Sequence, residues 1–359
     1  MRVTRLQIRD LRRLEAVEIE PAAGLNVLVG DNGAGKTSVL EALHLMAYGR
    51  SFRGRVRDGL IRTGTEALEI YVEWTQDSTD RARRAGLRHS GSSWEGRLDG
   101  QGVTQLGDLC AALQVVTFEP GSHALVGGSG EPRRRFMDWG LFHVEQEFFP
   151  LWRRFSRALR QRNALLKQGA PSDQLDVWDM ELAGAGEDLT DFREAYLLGL
   201  QDTLATTAQR IAPSLGHAGL QFLPGWKRDS MPLADALLLA RDRDRLLGHT
   251  STGPHRADWR VEFSAMPQGE ALSRGQTKLA ALACLLSQAR HLADTLGEWP
   301  VVALDDMASE LDAGHRGRVF ATLAESDAQV FVTGTDLPDA PAGQPVRMFH
   351  VEQGVISPA

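Results

Sequence analysis

The spacing of apolar residues along this chain changes period several times, and each change marks an element. Met1 to Ile8 alternates apolar and polar, as a half-buried strand does. Leu25 to Val29 is instead a short apolar run, interrupted only by Asn26, the pattern of a strand buried on both faces. From Ser38 to Ala47 the apolar positions take helical spacing. Leu68 to Trp74 and Val115 to Phe118 read as further strands, and Gly91 to Gly96 as a turn.

From Arg134 to Lys167 a helical stripe runs through Phe148, Trp152, Phe155, Leu159 and Leu166. Gly169 to Asp173 breaks it, and a second stripe from Glu181 passes through Leu189, Phe192, Tyr196, Leu204 and Ile211. The two stripes predict an antiparallel helical hairpin, and Leu233 to Leu247 predicts a third helix. After residue 250 strand and helix alternate again: a helix over 279–289, a strand over 301–304, a helix over 313–324 and a strand over 329–333. The simplest architecture is an α/β fold interrupted by a helical insertion. It assigns residues 1–120 and 250–359 to one domain and 121–249 to a helical arm.

The 359 residues suffice for a full core and two subdomains, and 42% apolar with 24% charged residues is ordinary for a globular chain. No apolar run approaches the ~18 residues of a membrane span. The first residues lack the apolar core of a signal peptide, so a cytoplasmic protein without a membrane partner is expected. Cys110 and Cys284 stand far apart in apolar settings and read as buried small side chains, neither a disulfide nor a metal pair. The net charge of −7 requires any nucleic-acid contact to come from a local patch. One such patch is offered by residues 133–167, with nine Arg and Lys against three acids, and residues 173–202 invert the sign with nine acids against Arg193. Either the two helices pair with each other or the basic one faces phosphates, and both can hold in part.

The chemistry is concentrated in four short segments. Gly30-Asp31-Asn32-Gly33-Ala34-Gly35-Lys36-Thr37, followed by Ser38, has the G-x-x-x-x-G-K-T pattern between an apolar strand and a helix, which is the context of a phosphate-binding P-loop. Backbone N–H groups and the helix N-terminus form the anion site, Lys36 reaches the outer phosphates, and the Thr37 hydroxyl serves Mg²⁺. Lysine occurs only at Lys36, Lys167, Lys227 and Lys278, which makes its use here more telling. Val301 to Leu304 ends in Asp305 and Asp306, a Walker B pattern in which Asp305 holds Mg²⁺ and Asp306 polarises the attacking water. Leu272-Ser273-Arg274-Gly275-Gln276 opens a helix with Ser273 as its N-cap, and Ser309-Glu310-Leu311-Asp312 follows Walker B.

Signature, Walker B and D-loop in that order, far downstream of a P-loop, resemble the ABC-type ATPases. In that class the signature serine, glycine and helix dipole meet the γ-phosphate of ATP held by a second subunit. The resemblance therefore implies an ABC-type head (a P-loop NTPase) with an inserted α-helical arm. The insertion is too short for a long coiled coil and has no Cys-x-x-Cys hook. Further segments narrow the match: Leu25 to Ala42, Ser51-Phe52-Arg53, Phe118-Glu119-Pro120, Pro132 to Asp138 and Gly253 to Asp258 are similar to the RecF family of bacterial recombination mediators, nearly end to end.

That resemblance implies ATP and Mg²⁺ as cofactors, an ATP-dependent homodimer, and binding of double-stranded DNA and of single-strand/duplex gap junctions. It also implies a weak DNA-dependent ATPase whose hydrolysis releases DNA, and partnership with RecR and RecO in loading RecA. On this chain Lys36, Asp305 and Asp306 are then catalytic. Ser273, Arg274, Gly275 and Gln276 complete the nucleotide site in trans, where Arg274 either touches the opposite γ-phosphate or tunes the interface. Thr333, Gly334 or Thr335 stands where a switch histidine is usual, and Gln114 lies near the region of a Q-loop. DNA-facing candidates are Arg50, Arg53, Arg55, Arg57, Arg81, Arg83, Arg84 and Arg88. The competing reading is an ABC-class motor or adaptor acting on a partner other than DNA.

Overall fold

Alternating strands and continuously apolar strands segregate into separate sheets. The computed structural model describes all residues except 55–58, 77, 78, 80, 267–270 and 336–345. In chain order it opens with β1 (Arg2–Leu11) and β2 (Leu14–Ile19), an antiparallel hairpin, then β3 (Leu25–Val29) and α1 (Lys36–Tyr48). β4 (Leu68–Gln76), β5 (Arg81–His89), β6 (Trp94–Leu98), β7 (Gln101–Val103), α2 (Leu106–Ala112) and β8 (Val115–Phe118) follow. Next come α3 (Ala124–Gly127), α4 (Gly130–Val144), α5 (Phe148–Gln168), α6 (Ser172–Ile211), β9 (Ala218–Leu223), α7 (Leu233–Leu247) and β10 (Asp258–Phe263). The chain ends with α8 (Arg274–Leu296), β11 (Val301–Leu304), α9 (Met307–Glu310), α10 (Ala313–Ala324), β12 (Val330–Gly334), β13 (Val346–Glu352) and β14 (Val355–Pro358).

Two compact units result: Met1–His123, Thr206–Gly216 and Pro267–Ala359 form the first, Ala124–Ala205 and His217–Met266 the second. The first unit holds two six-stranded sheets. One, ordered β2-β1-β4-β5-β6-β7, is antiparallel, and β1 and β4 bury alternate residues such as Leu6, Ile8, Ile70 and Val72. The other, ordered β14-β13-β3-β12-β11-β8, is parallel except for the edge strand β14. Its strands β3, β12 and β11, and the edge strand β8, are mostly apolar and almost wholly buried, as parallel strands covered on both faces require. α1 shares one apolar cluster with both sheets, which is why Val39, Leu40, Ala42, Leu43, Leu45 and Met46 are all buried around its circumference. No helix among the described residues is long and apolar enough to cross a membrane. Both cysteines are free, and burial pushes the thiol of Cys110 up to about 11 and that of Cys284 to about 12.

Three expectations change. The domain boundaries move, because residues 250–266 fall in the second unit and 206–216 in the first. β10 pairs with β9 over its whole length. The segment before it is stitched to the helices: Thr250 donates to Asn163 Oδ1 at 2.7 Å, and Ser251 N–H to Asp244 Oδ1 at 2.9 Å. The basic segment is two helices, since Pro150 has no N–H to continue a helix and is tolerated only in the first turn of α5. The turn expected over Gly91 to Gly96 is shorter, closed by Ser90 N–H to Ser93 O at 3.1 Å, and Trp94 already belongs to β6, stacked 3.8 Å from His89.

The charge division of the second unit resolves largely as helix pairing. Arg154 meets Glu181, Arg162 meets Asp179 and Asp244, and Arg193 meets Asp138. The descending partners of Arg154 and Arg162 show that α5 and α6 run antiparallel, as the stripes predict.

Three histidines, buried His44 and the half-buried His143 and His255, couple this fold to pH. Burial pulls His44 down to about 3, with the Arg50 charge adding to it, and pulls His143 and His255 to about 4. Each stays neutral in the fold but takes a proton near pH 6.5 when unfolded, so its contribution is complete above that pH and is lost as pH falls toward its lowered value. At pH 5 each should cost about 2 kcal/mol relative to pH 8. Thermal unfolding midpoints are expected to drop between pH 7 and pH 5, and His143→Gln to flatten the drop; identical profiles would refute the assignment.

Candidate functional site

The turn from β3 to α1 leaves backbone donors open. Gly35, the N-cap of α1, has no side chain to satisfy the first helical N–H groups, which leaves them available to an anion. Gly33 and Gly35 adopt φ of 81° and 120°, where a side chain would be strained. Gly30 is required for closeness: a Cβ there would lie 2.1 Å from the Val351 carbonyl oxygen. The loop is braced from outside by Arg13 Nη1, which donates to Gly33 O at 2.9 Å, and by Gly354 N–H, which donates to Ala34 O at 2.8 Å. Lys36 Nζ folds onto its own loop, donating to Gly30 O at 2.6 Å and Asp31 O at 2.9 Å. Asp31 and Asn32 are exposed, while Ala34 and Ser38 are buried.

Strand order brings the distant chemistry to this loop. β12 lies between β3 and β11, so the C-terminal ends of all three form one edge. Thr37 Oγ1 donates to Asp305 Oδ1 at 2.9 Å, and Thr333 Oγ1 donates to the same oxygen at 2.6 Å. Thr333 also accepts from Asp306 N–H at 2.9 Å. Thr333, one of the three residues considered for the switch position, therefore links the Asp305 carboxylate to the Asp306 backbone. Burial pushes the Asp305 carboxyl above its ordinary range, the Thr333 and Thr37 hydroxyls oppose this, the Asp306 charge raises it further and the Arg53 charge lowers it. Asp306 takes φ of 51°, a left-handed conformation that Asp tolerates better than most residues, and its Oδ1 accepts from Ser309 Oγ at 2.9 Å.

The donor set suits Mg²⁺, which prefers hard oxygens, keeps few protein ligands and takes the rest from phosphates and water. Thr37 and Asp305 supply such oxygens. No group of three or more His, Cys, Asp or Glu that could cage a metal occurs among the described residues, so a metal here would need a ligand's oxygens.

Glu119 was missed as a site residue. The register Leu304↔Phe118 makes Asp305 and Glu119 the next residues on neighbouring parallel strands. Burial raises the Glu119 carboxyl, Gly121 N–H at 2.5 Å opposes this, and Asp305 and Glu310 raise it further. The acid closing an apolar strand in Phe118-Glu119 is the signal that could have found it. Gln114 instead precedes β8, at the opposite end of the sheet, where its carbonyl accepts from Val301 N–H.

Ser273 caps α8 in a capping box: its side chain accepts from Gln276 N–H at 3.3 Å while Gln276 Oε1 accepts from Ser273 N–H at 2.8 Å. Ser273, Arg274 and Gly275 are exposed, and no hydrogen bond or ion pair among the described residues joins them to the P-loop. Glu310 is tied to α8 by Lys278 at 2.9 Å, and Asp312 caps α10 through His315 N–H.

The arginine candidates separate into groups. Arg55 and Arg57 lie outside the described residues. Arg50 and Arg53 are exposed, and Arg53 N–H bonds Ser51 Oγ, whose hydroxyl donates to the buried Glu41 that Arg12 holds at 2.6 and 2.8 Å. Arg81 and Arg83 pair with Asp99, and Arg88 with Glu69 and Glu95. Arg84 is exposed.

Thr333→Val would remove a bond from Asp305 and leave the Asp306 N–H without its acceptor. Stability is expected to fall by about 1–3 kcal/mol, with Thr333→Ser close to the parent, as read by thermal unfolding.

Comparison with known proteins places the chain in a family. Residues 2–357 match the family described as RecF/RecN/SMC N terminal domain. The chain is 62% identical over 360 residues to the DNA replication and repair protein RecF of Stenotrophomonas maltophilia (strain R551-3), covering 99% of both. It is 35% identical over 362 residues to the protein of the same name from Shewanella baltica (strain OS155 / ATCC BAA-1091), again covering 99% of both. Its fold is similar to a solved structure of the recombination mediator protein RecF with ATP in the RecFOR pathway, at a TM-score of 0.88 and 23% identity over 100% of this chain and 97% of that one. An Smc head bound to the C-winged helix domain of ScpA matches at a TM-score of 0.61 and 14% identity, over 100% and 97%. An ABC-type ATPase head that carries a helical unit without a long coiled coil, matched end to end by these relatives, makes this chain a member of the RecF family of DNA replication and repair proteins.

Proposed function

We propose that this chain is an ATP-controlled DNA-binding protein of recombinational repair. The observation that carries the reading is the bond between Thr37 and Asp305, residues far apart in sequence, at the open N-terminus of α1. Gly30 to Ser38 hold the phosphates. Lys36, now bonded to its own loop, exchanges those carbonyls for phosphate oxygens. Thr37 and Asp305 would hold Mg²⁺, which would neutralise phosphate charge when bound. Asp306 orients and polarises the attacking water, and its side chain, one methylene shorter than a glutamate, suits slow turnover.

Each copy supplies only part of a site. Exposed Ser273, Arg274 and Gly275, with Gln276 fixing the cap, meet the γ-phosphate held by a second copy, so two composite sites form together by twofold symmetry. ATP that binds the dimer better than the monomer drives dimerisation by linkage. The dimer binds double-stranded DNA and single-strand/duplex junctions, with exposed Arg50, Arg53 and Arg84 contributing from the first unit. Hydrolysis, stimulated by DNA, reopens it. The relatives' names support a repair role, and the RecFOR pathway of the fold relative supports RecO and RecR as partners, with RecA loaded downstream.

Sedimentation with ATP and Mg²⁺, with and without short duplex DNA, tests this. A monomer-to-dimer shift is expected, strengthened by DNA, prolonged in Asp306→Asn, and lost in Lys36→Ala and Ser273→Arg. A species that stays monomeric throughout would overturn the trans-site reading.

A further inference from the structure

We propose that the solvent face of α5 is a contact surface for the phosphate backbone of duplex DNA. This rests on the DNA-binding reading above and names a surface for it within the second unit. α5 has two opposed faces. Phe148, Phe155, Ala158, Arg162 and Leu166 are buried. Opposite them Arg153, Arg157, Arg160 and Lys167 recur at steps of four, three and seven residues and are exposed. At 3.6 residues per turn these four fall on one stripe about 21 Å long.

Most acids of the neighbouring helix bond other cations, although Glu181 also acts on Arg157 across a longer distance. Arg154, one position away, is held by Glu181 at 2.7 Å, and buried Arg162 by Asp179 and Asp244. On α6, Asp176 and Asp179 also bind Arg241, while Glu187, Asp191 and Glu194 surround Arg228. Among the described residues Arg157, Arg160 and Lys167 make no ion pair; Arg160 bonds only the Ser156 carbonyl of its own helix. At the N-terminal end Phe149 lies on the same stripe, parallel to Trp152 at 6.4 Å, with the Arg153 guanidinium 5.9 Å from its ring centre. By contrast, Arg81, Arg83 and Arg88 of β5 are neutralised by carboxylates.

A duplex carries one negative charge per about 1.7 Å, so the stripe spans roughly six base pairs of backbone. Its cations have only Ala164 between them, without the apolar centre that a protein partner would bury. Contacts of this kind position a duplex without reading its sequence. In a chain of net charge −7, such a local row is what attracts a polyanion.

The test is binding of a labelled duplex to the full chain with ATP over a series of salt concentrations. Removing two phosphate contacts in R157A/R160A should lower the slope of log affinity against log salt by about two, with R157K/R160K near the parent. Thermal unfolding of each variant checks the fold, which exposed positions should leave intact. If the parent binds duplex and R157A/R160A binds with the same slope and affinity, the α5 assignment fails alone. If the parent shows no ATP-dependent duplex binding, the DNA reading fails and this surface with it.

Discussion

The buried carboxylate of Asp305 is the constraint on which the nucleotide site depends. A carboxylate removed from water needs hydrogen bonds or a cation to remain charged. Here two threonine hydroxyls, one at the end of β12 and one at the start of α1, converge on one of its oxygens. They can do so only because β12 separates β3 from β11, which sets Thr333 between the P-loop and the acid. Dismantling that strand order would leave a buried acid unsatisfied and would part Asp305 from Thr37. Fold stability and site geometry therefore rest on the same contacts.

The loop itself is held from outside. Arg13 and Gly354, from two different hairpin turns, fix its carbonyls, while Lys36 closes on the two at its start. A loop whose C=O groups are engaged turns its N–H groups outward, the orientation an anion requires. Preorganisation of this kind lowers the ordering cost that phosphate binding would otherwise carry.

In the second unit the organising feature is a buried cation. Arg162 is fully buried, yet bonds two carboxylates and Thr250, and Thr250 in turn bonds Asn163. Leaving that guanidinium unpaired would be strongly destabilising. The network gathers α5, α6, α7 and the segment after residue 249, and so fixes the unit's boundary. It also consumes part of the charge on both long helices, which leaves the outer row of α5 as the remainder.

The amino-acid sequence by itself determined the elements and the chemistry of the site. Val301 to Leu304 throughout, and Leu25 to Val29 apart from Asn26, are apolar because parallel strands are covered on both faces, and such runs are legible without any neighbour. The glycines before Lys36, the acids after Leu304 and the serine before Arg274 are likewise local patterns with local physical causes. The sequence did not reveal that Thr333 bridges Asp305 and Asp306, or that Glu119 stands beside Asp305, since both follow from strand order and register. Nor could it say which arginines are paired: Arg83 and Arg157 look alike in the chain, but one bonds Asp99 and the other is exposed with no ion pair among the described residues. Period and turn chemistry are properties of neighbouring residues, whereas pairing between strands and between charges is decided only when distant segments meet.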